Sequence, residues 1–129
     1  LLAQAPPDAW RIVASHHPLV APHPDDRAHR PHRAAEAVQR WHGAGAQMLL
    51  SGHAHHPKLL EAYPGLWCSS AGTAVSHRLR HGAPNSLVVL GLETSGAALS
   101  GQARTAARWD YDSGQGEFIC VQRQALGGA

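Results

Sequence analysis

Two short apolar runs and, between them, one helical stripe of apolar residues predict the secondary structure of the first half of the chain. Residues 11–15 and 46–51 are apolar segments of strand length, and the second is almost continuously apolar, as in strands buried on both faces. Between them, residues 32–42 place apolar side chains at i, i+4 and i+7, which predicts an amphipathic helix with one buried stripe. The order strand, loop, helix, strand predicts a βαβ unit with two parallel strands.

Proline governs the segment that joins the first strand to the helix. The prolines between residues 18 and 24 exclude regular structure there, because proline lacks a backbone N–H and has a fixed φ. Asp25 and Asp26 are candidate helix-start residues, since aspartate accepts hydrogen bonds from the free N–H groups of a first turn. Pro31 could occupy the first position of the helix, where an N–H has no partner in any case.

Turn residues become frequent in the second half, and the apolar segments between them have strand length. This spacing predicts antiparallel strands joined by hairpins. The predicted strands are residues 59–62, 66–69, 86–92, 102–109 and 117–122. The fold class is therefore α/β, with a βαβ unit in front and a β-rich second half.

Composition excludes several classes of protein. The 129 residues carry a net charge of +2 with histidine neutral and have no block of basic residues, so nucleic-acid binding is not indicated. No apolar run approaches the roughly 18 residues of a membrane span, and no signal peptide is visible, so we expect a cytoplasmic protein. Cys68 and Cys120 lack the spacing of a metal motif and are expected to be buried thiols.

Eleven histidines are the compositional anomaly, and five of them stand in the segments that follow the two βαβ strands. Ser-His-His-Pro occupies residues 15–18, and Gly-His-Ala-His occupies residues 52–55, where the glycine allows a sharp turn. Adjacent parallel strands end at the same edge of a sheet, so the two segments are expected to meet there. Neutral imidazole binds zinc, iron, manganese or nickel, which predicts a metal site with His16, His53 and His55 as candidate ligands. We attribute to overall composition His23, His29, His32, His42 and His81.

The two histidine motifs and the helix between them resemble the last two metal motifs of the calcineurin-like metallophosphoesterases. A looser resemblance, over residues 71–76, 78–80 and 84–89, is to the bacterial cyclic-nucleotide-phosphodiesterase-like branch. The resemblance implies the C-terminal part of a β-sandwich flanked by helices, with two divalent metal ions at the sheet edge. It implies that His16 and His53 bind one ion and that His55 binds the other.

The same resemblance implies a reaction. Two divalent ions, Mn, Fe, Zn or similar, would activate a bridging hydroxide that attacks a small phosphoester substrate, a phosphomonoester or a phosphodiester. His17 would pack beside the ligands or support them, and His77 would face the substrate.

The upstream half of the family pattern is absent from this chain. The family's Asp-x-His, Gly-Asp and Gly-Asn-His elements do not occur, and the first residue is Leu1 rather than methionine. We therefore expect residues 1–129 to be one partial domain, with the missing N-terminal part of the same domain as its partner. The complete protein would be the enzyme, and this chain alone would be inactive.

Two other functions fit the same residues. The first is a non-catalytic metal-binding or interaction module of the same fold. The second is a mononuclear zinc hydrolase that uses His16, His53, His55 and a water molecule, with Glu61 as the nearest candidate base. All three interpretations predict that replacing His53 with alanine abolishes metal uptake.

Overall fold

Two β-sheets and one α-helix form the part of the chain that the computed structural model describes, which is residues 1–6, 9–93 and 103–126. The strands are β1 (Ile12–Ala14), β2 (Met48–Ser51), β3 (Lys58–Tyr63), β4 (Leu66–Ser70), β5 (Ser86–Glu93), β6 (Ala103–Asp112) and β7 (Glu117–Leu126). Helix α1 spans Ala34–Gly43, and two short 3₁₀ helices span Leu2–Gln4 and Pro24–His29. The predicted strands and the predicted helix are all present, with bounds that differ by a few residues.

The first sheet has the strand order β1-β2-β4-β3. Strands β1 and β2 are parallel, with Ile12 opposite Met48, and α1 lies between them in sequence, so the predicted βαβ unit is confirmed. Strands β3 and β4 form the predicted hairpin. The hairpin joins this sheet through β4, which runs parallel to β2, whereas only antiparallel pairing was predicted for the second half.

The second sheet is an antiparallel meander of β5, β6 and β7. Its β6–β7 turn is closed by Asp112, whose carboxylate accepts hydrogen bonds from the backbone N–H groups of Gly114 at 2.7 Å and Gln115 at 3.1 Å. The Gln115 side chain also donates from Nε2 to this carboxylate at 3.1 Å, and together with the backbone bonds from Gln115 and Gly114 it favours the ionised form and lowers the pKa of Asp112.

The first sheet is covered on both faces. Helix α1 packs on one face, where Val38 contacts a cluster that includes Leu49. The second sheet packs on the other face, where Met48 is fully buried with Ala106. Because Met48 and Leu49 are successive residues of β2 that point to opposite faces, both must be apolar. This explains the continuous apolar run that predicted a strand buried on both sides.

Helix α1 begins two residues later than the sequence pattern predicts. Arg33 precedes the helix with a left-handed backbone (φ 61°), so the chain cannot be helical before it. Pro31 therefore lies outside the helix, and its carbonyl oxygen accepts a hydrogen bond from the Ala34 N–H at 3.2 Å. Asp25 and Asp26 do begin a helix, but it is the 3₁₀ helix Pro24–His29.

No helix in the described ranges is long and apolar enough to cross a lipid bilayer.

Candidate metal centre

Two backbone hydrogen bonds hold the histidine segments together at the carboxyl edge of the first sheet. The segments follow β1 and β2, whose parallel pairing brings their ends side by side. The Ser15 N–H donates to the Leu50 carbonyl at 2.9 Å, which extends the ladder by one residue. The Gly52 N–H then donates to the His16 carbonyl at 3.1 Å. The relative position of the two segments is therefore set by main-chain contacts and not only by side chains.

Three histidines converge at this edge. His16, His17 and His53 each offer a ring nitrogen, and these atoms all lie within 4.8 Å of one another. His53 Nδ1 is 3.1 Å from His16 Nε2, and the rings of His17 and His53 have centroids 4.0 Å apart. Nitrogens that share one tetrahedral zinc ion at about 2.0–2.1 Å are about 3.3 Å apart. The spacing of the His16 and His53 nitrogens therefore suits one shared ion.

The surroundings of His53 favour its neutral form. The pKa of His53 is lowered, first by removal from water and then by the neighbouring charges of His17 and His16. A lowered pKa favours the neutral imidazole, which is the form that binds metal. His17 Nδ1 is buried and has no hydrogen-bond partner among the described residues, so this polar atom is left unsatisfied by them. The donor set and the unpartnered nitrogen both fit a transition-metal ion.

The turn that carries the second motif has an uncommon backbone. His53 (φ 62°) and His55 (φ 59°) are both left-handed, a conformation that only a few per cent of non-glycine residues adopt and that is concentrated at functional sites. We predicted that Gly52 would supply the sharp turn, and this is wrong, because its φ is not positive. The turn is made by the histidines themselves.

The other predicted site residues lie apart from this cluster. His55 is exposed and is not one of the three described histidines whose nitrogens converge, so its role as a ligand stays a prediction. His77 is exposed in the loop between β4 and β5, and its contact with substrate likewise stays a prediction. His17, expected beside the ligands, is itself within the converging group.

Sequence reasoning missed several neighbours of the cluster. The ring of His29 packs against that of His53 with centroids 5.2 Å apart. Asp26, only 2% exposed, accepts a hydrogen bond from His56 Nδ1 at 2.7 Å. In both contacts the 3₁₀ helix meets the segment after β2. The sequence offered one signal for these contacts, because Asp26 and His29 are three residues apart, as are His53 and His56. Such a spacing is too weak to identify a contact between two segments.

The positions of the acidic side chains limit the kind of metal site that the cluster can form. Within the described residues, no aspartate or glutamate belongs to the converging group. Asp26 is tied to His56, and Glu61 accepts a hydrogen bond from the Gly65 N–H at 2.8 Å in the β3–β4 turn. The arrangement can therefore hold an ion through nitrogen, while a carboxylate bridge between two ions would have to come from elsewhere.

Comparison with known proteins identifies the fold. No protein-family model and no curated protein matches this chain. Solved structures do match it, and its two-sheet α/β architecture is similar to part of Vps29, a protein of the metallophosphoesterase fold.

The matching structures are distant in sequence. Vacuolar Protein Sorting 29 from Cryptosporidium parvum is 19% identical, with a TM-score of 0.50 over 74% of this chain and 45% of that one. A double mutant of Vps29 from Entamoeba histolytica is 18% identical, with a TM-score of 0.49 over 84% of this chain and 53% of that one. Wild-type Vps29 of the same organism, complexed with Zn²⁺, is 18% identical, with a TM-score of 0.48 over 75% of this chain and 48% of that one. At this identity the similarity concerns the fold, and the chain spans about half the length of these proteins.

Proposed function

We propose that this chain carries the histidine part of a divalent metal centre in a calcineurin-like metallophosphoesterase. The observation that carries the proposal is the convergence of His16, His17 and His53 at the carboxyl edge of a βαβ unit. Ligands commonly bind at this edge of α/β sheets. The likeness of the Ser-His-His-Pro and Gly-His-Ala-His motifs to the family's metal motifs supports the same assignment.

The ligands divide into two groups in this proposal. His16 and His53 bind the first ion, and the ring nitrogen of His17 that lies within 4.8 Å of theirs supports a third nitrogen at that ion. His55 serves a second ion, as the family resemblance implies, once carboxylates from the N-terminal part of the domain complete the site. A transition-metal ion such as zinc or iron suits the first position better than magnesium, because imidazole nitrogen is a poor ligand for magnesium.

The chemistry proposed is hydrolysis of a small phosphoester. Bound divalent ions lower the pKa of a water molecule toward 7 and neutralise the phosphate oxygens. The residues of this chain would hold the ligand nitrogens in place. Arg80 supports the turn by donating a hydrogen bond from Nε to the Ala54 carbonyl at 3.2 Å. His77, on the exposed loop that precedes Arg80, is the candidate contact to substrate.

The domain assignment is part of the same proposal. Residues 1–129 form the C-terminal part of a single domain, and the N-terminal part binds beside β1. Strand β1 is an edge strand of the first sheet, and Ile12 on it is 39% exposed, so a further strand could pair there. The cyclic-nucleotide-phosphodiesterase-like branch is supported only by the resemblance downstream of β4. A cytoplasmic location is supported by two free cysteines, Cys68 and Cys120.

A non-catalytic metal-binding module is the second candidate. It is favoured by the all-nitrogen composition of the described group, which lacks the carboxylate that a bridged pair of ions requires. The structure argues against the mononuclear zinc hydrolase. Its candidate base, Glu61, already accepts a hydrogen bond in the β3–β4 turn.

Metal titration of matched variants tests the proposal. Wild-type chain and the variants His53→Ala and His32→Ala are titrated with Zn²⁺ against a chromophoric chelator. We expect tight uptake by the wild type and by His32→Ala, whose histidine is exposed, and loss of that uptake in His53→Ala. Equal uptake by His53→Ala would overturn the proposal. Phosphodiester hydrolysis, assayed with and without the N-terminal part of the domain, then separates the enzyme from the binding module.

A further inference from the structure

The 3₁₀ helix Pro24–His29 contacts the segment after β2 through two successive pairs of side chains. Asp26 meets His56, and His29 meets His53. Each segment contributes residues three positions apart. In a 3₁₀ helix the side chains at i and i+3 lie on the same face, so Asp26 and His29 both point toward the partner segment. We call this helix the strap.

The first pair fixes the strap. The Asp26 side chain is 2% exposed and that of His56 is 17% exposed, and their bond is 2.7 Å long. A carboxylate this deeply buried is tolerated only when it is paired and hydrogen-bonded, so it strongly favours the docked position of the strap. Position 29 is thereby held one helical turn away, above the cluster.

The second pair has the spacing of two ligands of one ion. The His29 and His53 rings have centroids 5.2 Å apart and planes inclined at 60°. The His16 and His53 rings, whose nitrogens do converge, are 4.9 Å apart. Imidazoles that bind one tetrahedral ion through nitrogen at about 2.0–2.1 Å have centroids about 5 Å apart.

We infer that His29 is a fourth ligand of the metal centre, carried to it by the strap. This inference rests on the proposed metal centre and adds to it a residue outside the two sequence motifs. The His29 nitrogens are not among those within 4.8 Å of one another, so binding requires a rotation of its side chain. The resulting set of four imidazoles selects a transition-metal ion of the zinc, copper or nickel type over magnesium or manganese.

The test compares the Zn²⁺ affinity of four forms of the chain: wild type, His29→Ala, His29→Asp and the control His32→Ala. We expect His29→Ala to bind Zn²⁺ at least about tenfold more weakly, in line with the 10–100-fold loss caused even by residues that only support a ligand. His29→Asp should recover part of that affinity, because a carboxylate also binds zinc. His32→Ala, altered at an exposed histidine three residues away, should equal the wild type.

A spectroscopic readout separates a ligand from a residue that only packs. With Co²⁺ in place of Zn²⁺, loss of a nitrogen ligand changes the visible absorption of the ion, so the spectra of His29→Ala and wild type should differ. If the wild type binds metal and His29→Ala matches it in affinity and spectrum, the inference is overturned while the metal centre stands. If the wild type takes up no metal, both are overturned.

Discussion

Removing the Asp26 carboxylate should destabilise the chain clearly. In the variant Asp26→Ala, His56 Nδ1 loses the acceptor that lies 2.7 Å away, and the imidazole stays mostly out of water, at 17% exposure. Breaking a fully buried ion pair costs about 3–5 kcal/mol, and a hydrogen bond to a charged group contributes about 1.5–3 kcal/mol. Because His56 retains some contact with water, we expect a loss of about 2 kcal/mol in the free energy of unfolding.

The neighbouring aspartate supplies the control. Asp25 lies in the same 3₁₀ helix, but its side chain is 86% exposed and 3.4 Å from an exposed His23. Asp25→Ala should therefore change the free energy of unfolding by less than about 0.5 kcal/mol. The intermediate variant Asp26→Asn keeps an oxygen acceptor without the charge, and it should lose about 1 kcal/mol.

Urea unfolding followed by tryptophan fluorescence measures these differences. The midpoint should fall in the order Asp25→Ala, Asp26→Asn, Asp26→Ala, with the slope of free energy against urea unchanged. Asp26→Ala should also weaken Zn²⁺ binding, because the strap would no longer hold His29. A midpoint for Asp26→Ala no lower than that of Asp25→Ala would refute the reasoning, since the buried pair would then contribute nothing to stability.

Three further predictions concern the core, the reactivity of the two thiols and the pH dependence of stability. Leu66 is fully buried between α1 and the first sheet, so Leu66→Ala should cost about 2–5 kcal/mol in a urea titration, whereas the half-exposed Leu92 should tolerate alanine with a much smaller change. Burial raises the pKa of the Cys68 thiol to about 12. The expectation that both thiols are buried is wrong for Cys120, which is exposed. Alkylation requires the thiolate, so iodoacetamide at pH 8 should modify Cys120 in the folded chain and reach Cys68 only after unfolding, as mass spectrometry would show; equal rates for the two would contradict this. Because the folded chain keeps the Cys68 proton that the unfolded chain releases above pH 9, this thiol also predicts stability that falls as pH rises from about 9 to about 12.

The elements of this fold were predictable because their patterns are local. The apolar run at β2 and the helical stripe of α1 each lie within one short window, and the βαβ order follows from them. The meeting of His16 and His53 was predictable for the same reason, because parallel neighbours must end at one edge. The parallel pairing of β4 with β2 was not predictable. It depends on how the β3–β4 hairpin packs beside β2, which no local sequence pattern specifies.

The strap shows where local reasoning ends. His29 was assigned to composition, and Asp26 was understood only as a helix-start residue. Their contacts with His53 and His56 join residues that are about 25–30 positions apart, and neither depends on a pattern of secondary structure. The conformation of the Gly-His-Ala-His turn was unpredictable for a related reason. The left-handed backbone falls on His53 and His55 and not on Gly52, whose N–H donates a hydrogen bond to the His16 carbonyl.

The most direct test of the metal centre is anomalous X-ray diffraction at the zinc absorption edge from crystals of the chain grown with Zn²⁺. We predict a peak between the strand ends of β1 and β2, with the ring nitrogens of His16, His17 and His53 at about 2.0–2.1 Å from it. A crystal that shows no zinc there, or shows zinc bound only by other histidines, would contradict the account.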